Sequence, residues 1–282
     1  MDRPLTTYEK DLKFGEILRS MGRVMVAFSG GVDSTFVLKR ARQELGDNVL
    51  AVTAASETFP TREFDAALQL AEEMGVELYQ TEVKELENAS FVQNNPDRCY
   101  HCKTGLYIHL QNLARQLGYP YLLDGSNVDD LGDYRPGLQA KNEQGVRSPL
   151  QEAGLTKDEI RLLSKDLGLT TWNKPAFACL SSRIPYGTKI EKYKIDQLDE
   201  AEYFLNKLGF YQVRVRHHDK IARIEVMPEE LPKVLEHREE IYSKLTSIGF
   251  TFVTLDLQGY RTGSLNEVLS ESAKQKVREA SV

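Results

Sequence analysis

The sequence predicts an α/β protein, with a doubly wound parallel sheet followed by a smaller α+β unit. Over residues 24–123, short apolar runs alternate with helical patterns, which is the order of elements in such sheets. The first apolar run ends in a glycine pair, as is typical of a buried parallel strand that leads into a helix. After residue 188 this alternation stops and a different order of elements begins.

Periodicity gives the individual elements of the first unit. Apolar runs and amphipathic spacing predict strands at residues 24–28, 49–55, 78–83 and 121–123, and helices at residues 33–45, 61–74 and 106–117. The intervening stretch of residues 84–105 shows neither pattern and is interpreted as irregular. Such sheets bind ligands at the carboxyl ends of their strands, so the loops after strands one and four should face one crevice.

The chain is predicted to divide near residue 188, into a nucleotide-binding domain (residues 1–188) and an α+β domain (residues 189–282). The second domain is predicted to contain helices at 197–208 and 229–248 and strands at 213–216, 221–226 and 251–256. The residues from Glu267 onward are interpreted as a helical or frayed tail. We expect the second domain to serve substrate binding or oligomerisation, and the protein to be a homo-oligomer.

Composition limits the classes of function. The chain is 41% hydrophobic and 28% charged, which suits a globular protein with a full core. It contains no run of the roughly 18 to 20 apolar residues that span a bilayer, and its first residues lack the apolar core of a signal peptide. We therefore expect a cytoplasmic protein without a membrane partner. The net charge of −6 makes nucleic acid an unlikely partner.

The clearest motif is the segment Ser29-Gly30-Gly31-Val32-Asp33-Ser34, between the first strand and the first predicted helix. Glycines let the backbone approach phosphate oxygens, and the helix amino end offers free N–H donors. Because the motif lacks the Gly-Lys-Ser/Thr ending, it is not the Walker loop that grips the β- and γ-phosphates; the hexapeptide instead resembles the phosphate loop called the PP-loop. The alternative is a glycine-rich turn without a ligand. The predicted ATP contacts here are Ala27, Ser29, Gly30, Gly31, Asp33 and Ser34, with Asp33 also holding Mg²⁺ against the leaving pyrophosphate.

The same motif, together with Asp124-Gly125-Ser126-Asn127 and Asp129-Asp130 downstream, resembles the N-type ATP pyrophosphatases. Members of that superfamily adenylate a carboxylate, an amide or a nucleobase carbonyl and release pyrophosphate. The resemblance implies that Gly125 contacts ATP, that Ser56 meets the adenine ring and that Asp129 or Asp130 helps to bind Mg²⁺. For the two aspartates, a solvated turn is the alternative.

A narrower resemblance, from about Arg23 to Asn266, is to the LarE sulfur transferases. It rests on short strings in a fixed order, Asp133-Tyr134-Arg135-Pro136-Gly137, Ser181-Ser182-Arg183, Pro185-Tyr186-Gly187, Val213-Arg214-Val215-Arg216, Ala222-Arg223-Ile224-Glu225 and Thr254-Leu255-Asp256-Leu257. It implies that the substrate is pyridinium-3,5-biscarboxylic acid mononucleotide, which is thiolated for the nickel-pincer cofactor of lactate racemase.

The substrate of that family is anionic, and the resemblance implies that it is bound by Ser182, Arg183, Glu202, Arg214 and Arg216. Arg214 and Arg216 have the same parity on a strand, so their guanidinium groups face the same way and could cradle a phosphate. Alternation with Val213 and Val215 is also what a half-buried strand shows, and by itself it favours a solvent-facing pair.

Three cysteines, Cys99, Cys102 and Cys179, are too few for a closed zinc site unless a ligand such as His101 joins them. Three thiolates can hold a [4Fe–4S] cluster with one iron left open. The resemblance implies such a cluster as carrier of the sulfur in some members, and in others a single cysteine that gives up its own sulfur. The cluster is favoured here, and the alternatives are a sacrificial Cys179, a persulfide or disulfide relay, zinc, and simple packing.

Two functions from other classes remain open. A tRNA thiolase would share the adenylation and cluster chemistry but would need an RNA-binding surface, which the acidic composition disfavours. A non-catalytic nucleotide-sensing module would bind ATP without releasing pyrophosphate. The sulfur donor, sulfide or a carrier, is not specified by any motif.

Overall fold

Short apolar strands form the centre of the larger sheet. The computed structural model describes residues 3–132, 137–175 and 177–270. Within these residues the strands are β1 (Val24–Ala27), β2 (Val49–Ala55), β3 (Glu77–Glu82) and β4 (Tyr121–Leu123). They are parallel and lie in the order β3-β2-β1-β4, with Val24 opposite both Val49 and Tyr121. The predicted parallel α/β sheet is confirmed.

Helices cover both faces of this sheet because β1 is apolar on both sides. They are α1 (Thr7–Met21), α2 (Val32–Leu45), α3 (Thr61–Glu73), α4 (Ala89–Val92), α5 (Arg98–Gln116), α6 (Gly137–Glu143), α7 (Pro149–Ala153) and α8 (Lys157–Asp166). Val24 and Val26 pack with α1 and α2, through Phe14 and Phe36. Met25, of opposite parity, packs with α5. The sheet is therefore doubly wound.

Helix α5 begins at Arg98, eight positions before the predicted start at Leu106. The sequence interpretation of residues 98–105 as irregular was therefore wrong. The first turns of α5 consist largely of polar residues and cysteines, so the apolar periodicity that marks a helix is missing there. Helices α1, α4, α6, α7 and α8 also lacked a prediction.

A second sheet carries the remaining elements. Helix α9 (Lys192–Lys207) precedes β5 (Arg214–His218) and β6 (Ile221–Glu225), and α10 (Leu231–Glu236), α11 (Arg238–Ser247) and β7 (Phe252–Leu255) follow. β6 lies between the antiparallel β5 and the parallel β7. The predicted helix over 229–248 is two helices, because the chain turns at His237.

The core under this second sheet draws on both halves of the chain. Helix α9 and strands β5 and β6 contribute several of its apolar side chains, but Phe91, Leu180 and Ile184 also belong to it. A domain boundary at residue 188 stays a prediction. Among the described residues, no helix combines the length and the apolar character needed to cross a bilayer.

Candidate active site

The PP-loop connects β1 to α2 at the carboxyl edge of the larger sheet. Gly31 is the N-cap of α2 and has no side-chain cap, so backbone N–H groups of the first turn are left for a ligand. The Ser29 and Ser34 hydroxyls lie 3.1 Å apart. Gly30 has φ 67°, and a Cβ there would lie 3.2 Å from the Ala67 Cα. Glycine is therefore required by both conformation and space.

The loop after β4 lies directly against the PP-loop. A Cβ on Gly125 would lie 2.9 Å from the Ser34 backbone nitrogen and 3.1 Å from the Asp33 Cβ. The neighbouring Asp124 carboxylate is buried and accepts hydrogen bonds from Ser126 (2.6 Å) and Ser148 (2.5 Å). The two loops thus meet at one crevice, as their places after strands one and four predicted.

Asp33 and Asp129, the predicted Mg²⁺ ligands, are linked through one lysine. The Lys157 ammonium group donates to Asp33 Oδ2, and the Lys157 backbone nitrogen donates to Asp129 Oδ2 at 2.7 Å. Asn127 Nδ2 also approaches Asp33 Oδ1 at 3.4 Å, and Asp130 accepts from the Asn127 backbone nitrogen at 2.9 Å. The predicted aspartates therefore lie beside the PP-loop.

Sequence reasoning missed Lys157, although a signal for it exists. Lys157 is the first residue of α8 and follows the N-cap Thr156. A cation is unfavourable in the first turn of a helix because the backbone dipoles there are positive. A lysine at this position therefore points to a function in the crevice.

The loop after β2 connects the nucleotide crevice to the segment that carries Cys179. Ser56, the predicted adenine contact, follows the last residue of β2, and its carbonyl accepts from the Phe59 nitrogen at 3.1 Å. Two residues on, the Thr58 carbonyl accepts from the Leu180 nitrogen at 2.9 Å. The Phe59 and Phe177 rings meet edge to face, with centroids 5.2 Å apart.

The three cysteines are free thiols, each half-buried, and the fold brings them into electrostatic contact with one another. Cys102 Sγ donates to Glu85 Oε1 at 2.8 Å, and Cys179 Sγ lies 2.9 Å from the Ser181 hydroxyl. This convergence joins residues that are 77 positions apart in the chain.

Burial dominates the titration of two of these thiols. It raises the pKa of Cys99, an increase that the neighbouring Arg98 opposes. It also raises the pKa of Cys102 well above its ordinary value, and the Glu85 carboxylate adds to that increase. Both shifts favour the protonated thiol over the thiolate. A ligand that takes thiolates must displace these protons.

Arg183 and Glu202 lie next to the Cys179 segment and are buried. Arg183 Nη1 donates to the Cys179 carbonyl at 2.9 Å and to the Ser182 hydroxyl at 2.9 Å. Glu202 accepts from Arg183 through both carboxylate oxygens, and its Oε1 also accepts from the Val215 nitrogen at 2.9 Å. The prediction that this pair contacts substrate stays untested, and its contacts favour a role in positioning.

Arg214 and Arg216 are only 8% and 6% exposed, so their interpretation as a solvent-facing pair is wrong. The Arg214 guanidinium lies 5.5 Å from the centroid of the Tyr260 ring. Burial, with the nearby Arg183, lowers the pKa of Arg214 to about 10. Arg216 donates to the Ser182 carbonyl at 2.9 Å and to Glu225 at 2.7 Å. All five predicted substrate residues therefore form one cluster.

Metal binding is predicted at two places, at Asp33 and Asp129 for Mg²⁺ and at the three cysteines for a [4Fe–4S] cluster. In residues 3–132, 137–175 and 177–270, no set of three or more His, Cys, Asp or Glu side chains forms a group that could hold a metal ion as it stands. Residues 133–136, the first four of the string Asp133-Tyr134-Arg135-Pro136-Gly137 used for the family resemblance, lie outside the described residues.

Comparison with known proteins agrees with this site. The family model described as NAD synthase matches residues 17–106, which include the PP-loop. An uncharacterized protein of Synechocystis is 44% identical over 92% of this chain and 96% of its own length. The pyridinium-3,5-bisthiocarboxylic acid mononucleotide synthase of Lactiplantibacillus plantarum is 46% identical over 90% of this chain and 93% of its own. The protein is an ATP-using enzyme of the PP-loop superfamily, and it belongs to the LarE family.

Proposed function

We propose that this enzyme is an ATP-dependent sulfurtransferase that converts carboxylates of pyridinium-3,5-biscarboxylic acid mononucleotide to thiocarboxylates. The observation that carries the proposal is the 46% identity to a synthase of the bisthiocarboxylic acid product, over nine-tenths of both chains. The site supports it because hydrogen bonds connect the segment that carries Cys179 both to the loop after β2, through Thr58, and to the buried Arg183 and Arg216.

The first step is adenylation of a substrate carboxylate. A carboxylate oxygen attacks the α-phosphorus of ATP, a new P–O bond forms, and the bond to the β-phosphate breaks so that pyrophosphate leaves. The PP-loop N–H groups and the Lys157 ammonium group neutralise charge on the departing phosphates. Asp33 and Asp129 would hold Mg²⁺, which would supply further positive charge to those phosphates.

The second step is thiolysis of the acyl-adenylate. Hydrosulfide attacks the acyl carbon, a C–S bond forms, and the C–O bond to AMP breaks. AMP leaves with the electron pair, and the thioacid loses its proton to give a thiocarboxylate. No change of oxidation state occurs, and a second round would modify the other carboxylate.

Cys99, Cys102 and Cys179 are the residues that would hold a [4Fe–4S] cluster. The donor set suits it in number, and cationic side chains nearby (Arg98, Lys103 and Arg183) can offset the charge of three thiolates. A cluster with three protein ligands supplies one open iron, a Lewis acid able to bind hydrosulfide. In the alternative, Cys179 donates its own sulfur and is left as dehydroalanine.

Arg214 and Arg216 are proposed to bind the phosphate and carboxylates of the mononucleotide. Both are buried, and a buried guanidinium binds planar oxyanions through paired hydrogen bonds. Ser182 accepts hydrogen bonds from both Arg183 and Arg216, so a phosphate bound there would lie next to the Cys179 segment.

Anaerobic turnover of the purified protein tests the function. The protein is incubated with ATP, Mg²⁺, sulfide and the biscarboxylic mononucleotide, and pyrophosphate and product mass are measured. We expect substrate-dependent pyrophosphate release and a mass gain for replacement of oxygen by sulfur, both absent in Asp33→Asn. Pyrophosphate release without the mononucleotide, or none with it, contradicts the proposed substrate. The absence of release with any carboxylate would instead favour a nucleotide-sensing module.

Thiolation of tRNA is a second candidate, and one comparison favours it. The tRNA-specific 2-thiouridylase MnmA of Desulforamulus reducens is 26% identical over 54% of this chain and 53% of its own. That match covers far less than the synthase match, so the mononucleotide remains the preferred substrate. A gel shift with total tRNA at low and high salt would detect the alternative.

Three expectations about domain organisation, oligomeric state and location accompany this proposal. We infer a domain boundary near residue 188, which can be tested by limited proteolysis. We also infer a homo-oligomer, to be tested by light scattering, and a cytoplasmic location, to be tested by cell fractionation.

A further inference from the structure

Asn94 is a buried polar residue in an unusual backbone conformation. It has φ 56°, in the left-handed region that favours glycine, and none of its surface is exposed. Its side-chain nitrogen donates to the carbonyls of Pro185 (2.8 Å) and Thr188 (2.8 Å), and its own carbonyl accepts from the Gly187 nitrogen (2.9 Å). One residue thus fastens the loop that follows Cys179 to the segment that leads into α5.

Arg98 continues this connection one helical turn further on. Its guanidinium donates to the Asn94 side-chain oxygen and, at 3.0 Å, to the Ser181 carbonyl. It also lies 5.3 Å from the centroid of the Tyr186 ring. Arg98 is only 2% exposed and adjoins Cys99 in sequence, so it contacts both segments that carry thiols.

We propose that Asn94 and Arg98 are positioning residues, which fix the Cys179 loop against the start of α5 and thereby set the spacing of Cys99 and Cys179. A buried cation and a left-handed asparagine are both costly, and they are retained where surrounding contacts determine them. Here the side chains of both residues make hydrogen bonds to carbonyls of residues 181–188. The inference rests on the proposed role of the thiols, but its test needs no turnover.

The test measures the distance between the two thiols in the metal-free, reduced chain. In a Cys102→Ser background only Cys99 and Cys179 remain, and dibromobimane becomes strongly fluorescent only when it bridges two thiols. Asn94→Gly keeps the backbone conformation without strain and removes only the side-chain hydrogen bonds. We expect its bridging rate to fall about tenfold, which corresponds to 1.4 kcal/mol. Arg98→Leu should show a loss at least as large.

Asn95→Gly is the matched control, because Asn95 is the exposed neighbour of Asn94. It should bridge at the rate of the parent. ATP binding at the PP-loop monitors folding in every variant. If Asn94→Gly bridges as fast as Asn95→Gly, the proposal is overturned, whether or not Arg98→Leu folds. A merely stabilising residue would lower the melting temperature and leave the bridging rate of the folded chain unchanged. The bridging assay does not involve sulfur transfer. Its result would therefore remain valid even if the turnover assay failed.

Discussion

Arg183 and Glu202 are joined by two parallel hydrogen bonds of 2.9 Å each, and both side chains are almost wholly buried. The pair connects the turn after Cys179 with α9, and Glu202 reaches on to the Val215 nitrogen in β5. A buried pair of this geometry fixes the relative position of three segments, and each partner depends on the other for its charge balance.

Removing one partner should therefore be costly. We predict that Glu202→Ala lowers the free energy of unfolding by about 3–5 kcal/mol, because it leaves the Arg183 guanidinium buried and unbalanced. Urea denaturation at neutral pH measures the loss. Glu200→Ala is the control on the same helix, since Glu200 is about half exposed and pairs with Lys244; it should cost less than about 1 kcal/mol. Equal losses in the two variants would contradict the interpretation.

The same pair predicts a pH dependence of stability. Burial alone would raise the pKa of Glu202, but Arg183, Arg214 and the Val215 nitrogen together outweigh it, and the net pKa is lowered. The Glu202 carboxylate therefore stays ionised to a lower pH in the folded protein than in the unfolded chain. This contribution is present above the pKa of an unfolded glutamate, about 4.3, and is lost as the pH falls through the folded value. Glu202→Gln should flatten the acid side of the stability profile.

Gly125→Ala tests the contact between the two loops of the nucleotide crevice. The new Cβ would lie 2.9 Å from the Ser34 nitrogen, a backbone atom that cannot move without shifting α2. We predict a loss of ATP affinity of about tenfold or more, measured by calorimetry. Gly105→Ala, at an exposed helical position with no atom within 4 Å of the new Cβ, should bind ATP normally and be slightly stabilised.

Local pattern was enough to predict the nucleotide crevice. The apolar run of β1 and the glycines that follow it are adjacent in sequence, and Gly125 follows β4 directly. Parallel pairing of β1 with β4 then brings Gly125 to Ser34 without further information. The crevice can therefore be predicted from sequence signals that each span only a few neighbouring residues.

The thiol and arginine clusters depend on contacts that no local pattern contains. The start of α5 is polar on the side that carries Cys99, so periodicity missed eight helical residues. Arg214 and Arg216 alternate with valines as surface residues do, yet they are covered by residues far away in the chain, among them Tyr260 and Ser264. Only the family resemblance pointed to these arginines as a site.

Lys157→Met tests whether the lysine at the start of α8 acts on the phosphates. Its ammonium group pairs with Asp33 at the PP-loop, where the proposed mechanism puts the leaving pyrophosphate. We predict that kcat/KM for pyrophosphate release falls by about a hundredfold. Lys165→Met alters an exposed lysine on the same helix and should leave the rate unchanged. A rate for Lys157→Met equal to that of Lys165→Met would remove Lys157 from the mechanism.

Serine variants of the three cysteines distinguish a carried sulfur from a sacrificed one. If the thiols hold a cluster, then anaerobically reconstituted protein should contain about four iron and four sulfide per chain, and Cys99→Ser, Cys102→Ser and Cys179→Ser should each lose both the iron and multiple turnover. If Cys179 is sacrificial, Cys99→Ser and Cys102→Ser should retain one product per chain, and the wild-type mass should fall by one hydrogen sulfide after reaction. We expect the first outcome, because the fold brings Cys99 and Cys102 to Cys179 beside cationic side chains that a single donor cysteine would not need.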